Sequence, residues 1–275
     1  MNGQIEFYQV NAFTSHLFQG NPAGVFILPE WIPEESMQQV AKEANLSTSA
    51  FLFQDTDKES QYRIRWFTPT CEISLCGHAT LAAGWVLTHV LRKTPPFHIK
   101  SQSNFSLVVD ALPSGEIQLD FPLAHVTKVE PNEYVKKNFE ESDVEGCYFA
   151  GGEQDDYFVA LKDVNTVNKF KPDMEEIKRL PARGLLLSSA EDITSYQFRT
   201  RFFAPKIGIN EDIATGSAHC LLASYWHQKY PSNNQWFHSQ QGSSSRKGSM
   251  KVKLHQNRVL ILSRARMYLK GTILL

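Results

Sequence analysis

Hydrophobic and polar positions alternate along residues 4–10, which predicts a strand. A turn-rich passage follows, ending Gly20-Asn-Pro-Ala-Gly24, and a short apolar run at 25–28 predicts a second strand. Pro33 then opens a helix. Glu34 and Glu35 suit its positive end, Met37, Val40, Ala41 and Ala44 recur at three- and four-residue spacing, and Asn45 stops it. Residues 49–53 and 62–67 predict paired strands joined by a charged turn at 55–59. Residues 81–87 are apolar on every side, the pattern of a helix buried all round, and Pro95-Pro96 stops it. Alternation resumes over 97–120 about a hairpin at Pro113-Ser-Gly115, and Phe121-Pro-Leu123 makes a crossover.

The same events then recur. The pattern predicts a short helix at 131–139, strands at 146–150 and 157–161, and a helix at 173–180 with acidic residues first and basic residues last. A buried strand follows at 184–188 and a helix at 217–230, stopped by Pro231. Residues 251–254 and 259–262 pair as a hairpin, and 266–274 form a terminal strand. Within this order one unit occurs twice. Arg63-Ile-Arg-Trp-Phe-Thr-Pro69 runs on to Cys76-Gly-His-Ala-Thr80, and Arg199-Thr-Arg-Phe-Phe-Ala-Pro205 runs on to Thr215-Gly-Ser-Ala218. Each copy is a strand, a break at Phe-x-Pro, a loop, and a Gly that opens an apolar helix. Two halves follow, each a mostly antiparallel sheet wrapped round one buried helix. The first spans residues 1–122 joined by the terminal strand 265–275, and the second spans 123–264.

Composition narrows the function classes. At 275 residues the chain fits one large or two medium domains. Its 42% hydrophobic and 21% charged residues are ordinary for a soluble protein. The net charge of -1 comes with no basic stripe, which argues against nucleic acid. No long apolar run and no signal-peptide pattern occur, so the expectation is a cytoplasmic protein with no membrane partner. The cysteines at 71, 76, 147 and 220 follow no disulfide or zinc spacing and read as free thiols, with no metal site.

Taken in order, Asn11-Ala-Phe-Thr, Gly20-Asn-Pro-Ala-Gly24, Asn45-Leu-Ser47, Phe67-Thr-Pro69, Gly77-His-Ala-Thr80, Glu211-Asp-Ile-Ala-Thr-Gly-Ser-Ala218 and Gln241-Gly242 resemble the PhzF family of phenazine-biosynthesis-like proteins. The resemblance implies an α/β (α+β) diaminopimelate-epimerase-like fold, with two similar halves, a central helix in each and a cleft between them. It also implies a cofactor-independent isomerase or epimerase of a small carboxylate, acting as a homodimer.

Moving a proton on carbon needs an acid or base and donors that hold the substrate's anionic group. In the family a Glu follows Asn-Leu-Ser and carries the main proton transfer. Thr48 stands there in this chain, and a hydroxyl is no general base near neutral pH. Glu43 falls on the exposed side of its helix and is no substitute. His78 and Asp212 match the family's other proton-handling positions. Their plain alternatives are a helix-start His bonded to a loop carbonyl and a turn or capping carboxylate. Cysteine-dependent racemases on this fold place a cysteine before the Gly of each unit. Here Cys76 stands in the first and Thr215 in the second, which excludes a two-thiol racemase. Cys76 is then either a single base beside a helix N-terminus or a small buried residue.

Gly77, Thr215, Gly216 and Ser217 stand where helix N-termini offer N–H groups to a carboxylate, and Thr and Ser also favour such positions as ordinary caps. Asn21 and Ser47 are donors by the same carry-over, or plain loop hydrogen-bonders. After Gln241-Gly242 the family continues toward Gly-Arg-Pro-Ser. This chain has Arg246-Lys-Gly-Ser249, and Arg246 and Lys247 read as solvated. Three functions stay open: the isomerase, a small-carboxylate-binding protein that has lost the catalytic Glu, and a scaffold acting through a protein partner.

Overall fold

A computed structural model describes residues 4–55, 60–151, 155–195, 197–231, 235–243 and 245–275; the turn expected at 55–59 lies outside these except for Asp55. Chain order runs β1 (Gln4–Ala12), β2 (Asn21–Leu28), α1 (Glu34–Ala44), β3 (Thr48–Gln54), β4 (Gln61–Phe67), β5 (Glu72–Ile73), α2 (Gly77–His89), β6 (Phe97–Ser101), β7 (Ser106–Ala111) and β8 (Ile117–Pro122). It continues with β9 (Thr127–Val129), α3 (Glu133–Asn138), β10 (Val144–Ala150), β11 (Asp156–Leu161), α4 (Val164–Lys169), α5 (Met174–Lys178), β12 (Gly184–Asp192) and β13 (Gln197–Ala204). A 3-10 turn (Pro205–Ile207), β14 (Ile209–Asp212), α6 (Gly216–Lys229), β15 (Phe237–Gly242), β16 (Lys247–His255), β17 (Arg258–Ser263) and β18 (Ala265–Leu274) complete it. The chain divides into two compact units, Met1–Pro122 with Leu260–Leu275, and Leu123–Val259.

In the first unit β18, β1 and β2 pair antiparallel, β2 runs parallel to β3, β3 antiparallel to β4, β4 parallel to β6, and β6, β7 and β8 antiparallel. The second unit repeats the alternation. There β9, β10 and β11 pair antiparallel, β11 runs parallel to β12, β12 antiparallel to β13, β13 parallel to β15, and β15 antiparallel to β16. A parallel pair needs a crossover. In the first unit α1 and α2 supply the two crossovers; in the second, α4 with α5, and then α6, supply them.

Strand alternation sends the two faces of each sheet to different helices. In the first unit Phe26, Leu28 and Phe51 pack with Met37, Val40 and Ala41 of α1, as the helical spacing predicts. The opposite face encloses α2, which touches β1, β2, β3, β7, β8 and β18. In the second unit Tyr157, Val159, Leu185 and Leu187 pack with α3, α4 and α5. Phe158 instead stacks edge-on against Tyr225 of α6 at 4.9 Å. Both α2 and α6 are buried over nearly their whole length, which is why neither shows a polar stripe.

The sequence pattern does not predict the short strands β5, β9 and β14, and three further elements differ from it. β2 begins at Asn21, four residues earlier than the apolar run suggests. Pro22 is tolerated there because it is the second residue of the strand, and Gly24 leaves room for Ser49 and the rings of Phe7 and Phe26. α4 was hidden because Val-Asn-Thr-Val-Asn-Lys is rich in poor helix formers; Asp163 starts it by accepting the Asn165 N–H at 2.9 Å. β15 was hidden because Phe237-His-Ser-Gln-Gln-Gly buries polar side chains on its inner face, Ser239 and Gln241.

Candidate active site

The repeated unit carries a repeated clamp. In the first copy Arg65 grips Glu72 with two hydrogen bonds, Nε to Oε1 at 2.8 Å and a terminal nitrogen to Oε2 at 2.6 Å. In the second, Arg201 grips Glu211 at 2.8 and 2.9 Å. Each guanidinium also lies over the Phe two residues on, Phe67 at 5.2 Å and Phe203 at 4.9 Å. A forked donor meeting a carboxylate fixes direction as well as distance. Each Glu stands five residues before the Gly that opens the buried helix. The clamp therefore fixes the approach to Gly77 and to Gly216 in the same way. The signal was present in the sequence as Arg-x-Arg followed by a Glu before each Gly.

At the start of α2 the structure brings together Asn21, Ser47, Cys76 and His78. The Ser47 hydroxyl lies 2.8 Å from Asn21 Oδ1, 2.9 Å from the Pro22 carbonyl and 3.2 Å from His78 Nε2. His78 Nδ1 lies 3.3 Å from the Cys76 sulfur. The hydroxyl has one proton, and the Asn21 and Pro22 oxygens can only accept it. With that proton divided between the two oxygens, the hydroxyl accepts from His78 Nε2–H, which leaves Nδ1 to share a proton with the Cys76 thiol. The imidazole so bridges a thiol and a hydroxyl, and can carry a proton between them. Cys76 is buried and its thiol meets an imidazole, whereas the buried Cys220 thiol donates to the Gly216 carbonyl of its own helix at 3.7 Å. Thr48 is buried and is not part of this chain of contacts: its hydroxyl donates to the Ser47 carbonyl at 2.8 Å.

At the start of α6 the structure brings together Asp212, Thr215 and a residue whose role the sequence reading left open, Gln241. The Thr215 hydroxyl donates to Asp212 Oδ2 at 2.6 Å. Gln241 Nε2 donates to Thr215 Oγ1 and to the Asp212 carbonyl, both at 2.8 Å, while its Oε1 accepts the Thr215 N–H at 2.9 Å. His219, one turn into α6, donates from Nδ1 to the Thr215 carbonyl at 2.8 Å and meets Ser239 Oγ at 2.6 Å through Nε2. Burial lowers the His219 pKa to about 4, so it is neutral. Ser217 lies elsewhere on the helix start, accepting from Arg183 at 3.4 Å. Arg183 in turn holds the fully buried Asp156 with bonds of 3.0 and 2.6 Å. Burial pushes the Asp156 carboxyl up, and Arg183 opposes that. The Arg183–Asp156 and His219–Ser239 contacts join residues far apart in the chain, so no local pattern shows them.

Both helix starts share one further feature. Cys76 and Thr215 occupy the N-cap positions, and neither side chain caps its helix. The first intrahelical acceptors serve Thr80 and His219. Among the described residues, the N–H groups of Gly77, His78 and Ala79, and of Gly216, Ser217 and Ala218, take no acceptor. All six residues are buried. Buried N–H groups without partners are rare, and at a positive helix end they suit an anion. Arg246 and Lys247 differ from the expectation: both are half-buried and engaged with other residues, and burial lowers the Arg246 pKa. Among the described residues no cluster of His, Cys, Asp and Glu could hold a metal ion.

The sequence model of the phenazine biosynthesis-like proteins, PhzC-PhzF, matches residues 10–272. The chain belongs to the PhzF family. An uncharacterized isomerase of Halalkalibacterium halodurans is 38% identical to it over 98% of both chains. The crystal structure of a PhzF-family phenazine biosynthesis protein from Enterococcus faecalis superposes with a TM-score of 0.87 at 34% identity, covering 99% of this chain and 100% of that one. A hydroxyproline epimerase from Agrobacterium vitis superposes at 0.65 with 10% identity, over 100% of this chain and 94% of the other, which shows a shared fold alone. The architecture is thus the diaminopimelate-epimerase-like one of the family, a mixed α+β fold of two similar halves. No described helix is long and apolar enough to cross a membrane.

Proposed function

We propose that this chain is a PhzF-like, cofactor-independent isomerase or epimerase that moves a proton on a small carboxylate substrate. The observation that carries the reading is the pair of buried, uncapped helix starts, each beside a group that can handle a proton. The N–H groups at Gly77, Gly216 and Ser217 take the substrate's carboxylate, with Asn21 and Ser47 as further polar contacts. Asp212 and His78 accept and return the proton. Cys76, sharing a proton with His78 Nδ1, extends that relay and offers a second base in a chain that has Thr48 at the position of the family Glu. The reading also carries the expectation of a cytoplasmic homodimer, which sedimentation tests as a species of twice the chain's mass.

One observation favours a second reading, that of a small-carboxylate-binding protein. Thr48 is buried, and its hydroxyl is committed to the Ser47 carbonyl. The position of the family Glu therefore holds no base. Proton NMR in D2O over a panel of amino, hydroxy and dihydroaromatic carboxylic acids separates the two. Loss of a carbon-bound proton signal, abolished by Asp212→Asn, supports the isomerase. Signals that broaden on binding and never exchange support the binding protein. In that second case Thr48→Glu is the decisive variant, and exchange appearing only in Thr48→Glu identifies a lapsed enzyme.

A further inference from the structure

The Gln241-Gly242 pair is a motif of the sequence that the reaction above does not use. Gly242 has φ +107°, and a Cβ there would come within 2.6 Å of the Arg246 carbonyl and 3.0 Å of the Ile213 carbonyl. Only glycine lets the end of β15 approach the 212–215 loop this closely. Gln241 is fully buried in β15, opposite Thr200 on one side and Gly248 on the other. Its side-chain amide has two protons and one oxygen acceptor, and all three are used: one proton on the Asp212 carbonyl, one on Thr215 Oγ1, and the oxygen on the Thr215 N–H. Turning the amide over would set its NH2 against the Thr215 N–H and its oxygen against the Asp212 carbonyl. Its orientation is fixed.

That orientation fixes a second one. Thr215 Oγ1 already accepts a proton from Gln241, and among the described residues the other partner of that hydroxyl is Asp212. The hydroxyl's own proton must point at Asp212 Oδ2. A proton on Oδ2 would turn the hydroxyl hydrogen away from its acceptor and strand it. We propose that Gln241 is a positioning residue which, through the direction it imposes on the Thr215 hydroxyl, presents Asp212 as a proton acceptor. The catalytic consequence rests on the reading of Asp212 as the acid–base group; the wiring does not.

The test follows the Asp212 carboxyl carbon by NMR across pH in 13C-labelled protein without substrate. A hydrogen bond to the ionised form favours that form, so removing it moves the titration midpoint upward, on the order of one pH unit. The expected result is an upward move in both Gln241→Leu and Thr215→Val, with Thr215→Ser, which keeps the hydroxyl, titrating like the parent. Thr215→Val leaves Gln241 in place, so the question stays answerable if Gln241→Leu folds poorly. An unmoved midpoint in folded Thr215→Val overturns the proposal whatever the activity. Where a substrate is in hand, Gln241→Leu lowers kcat roughly tenfold or more with KM little changed. A moved midpoint in a protein that exchanges no carbon-bound proton would sink the isomerase reading and leave the positioning role standing.

Discussion

Cys76 is the residue on which two descriptions of this protein part. As a packing residue it needs only volume; as a base it needs the contact with His78 Nδ1 at 3.3 Å. Cys76→Ser keeps the volume nearly unchanged and replaces the thiol with a much weaker acid. If the thiol carries a proton, exchange in Cys76→Ser falls on the order of 100-fold, the scale of a lost general acid–base group. A fall of less than about threefold, measured on the same substrate, would return Cys76 to the packing role. Much of the candidate site was legible at the scale of single residues. The places of Asn21, Ser47, Cys76, His78, Asp212 and Thr215 could be read off ordered motifs. Their partners could not, because the contacts of Gln241 with Thr215 and of Arg183 with Asp156 and Ser217 join residues distant in the chain.

The two buried helices were the clearest elements in the sequence, since an all-apolar stretch that ends in Pro has one stable home in a soluble fold. What the pattern hid was the fit of the helix against its sheet. Gly84 lies mid-helix in α2, where a glycine costs roughly 1 kcal/mol relative to alanine on propensity alone. A Cβ there would fall on the Val109 side chain, itself fully buried in β7 and stiff at χ1. Overpacking a core costs about 1–3 kcal/mol, so packing should outweigh propensity. Gly84→Ala is expected to lower the urea midpoint, and adding Val109→Ala to recover part of the loss. A Gly84→Ala protein more stable than the parent would contradict this packing. The short elements α4 and β15 escaped the sequence reading for the opposite reason. Their residues favour other structures locally, and a cap or a neighbouring strand overrides that preference.

For the whole molecule, the internal repeat in the sequence corresponds to a repeated strand order, a repeated crossover and a repeated Arg–Glu clamp. The halves differ in chemistry. The first carries a thiol and an imidazole before and after its Gly, and the second a carboxylate and a hydroxyl. Stability depends on pH through a residue of the second half. His219 is neutral in the folded protein with its pKa lowered to about 4 by burial, against 6.5 ordinarily. A depressed folded value means stability is whole above pH 6.5 and is lost as the pH falls from there toward 4. Between pH 7 and pH 5 this group alone should remove about 2 kcal/mol. Urea unfolding at the two pH values should show that loss in the parent and a smaller one in His219→Gln. Equal losses in both proteins would assign the acid sensitivity elsewhere.

On the proposed reading, a PhzF-family chain with threonine in place of the family Glu still moves a proton on carbon. The deciding experiment is deuterium incorporation from D2O into a panel of small carboxylic acids, followed by proton NMR with the parent protein and with Asp212→Asn. A carbon-bound proton signal of at least one acid is expected to disappear with the parent and to persist with Asp212→Asn. Acids that bind, seen as line broadening, yet keep every carbon-bound proton through the full incubation would contradict that reading and leave a binding protein on an enzyme's fold.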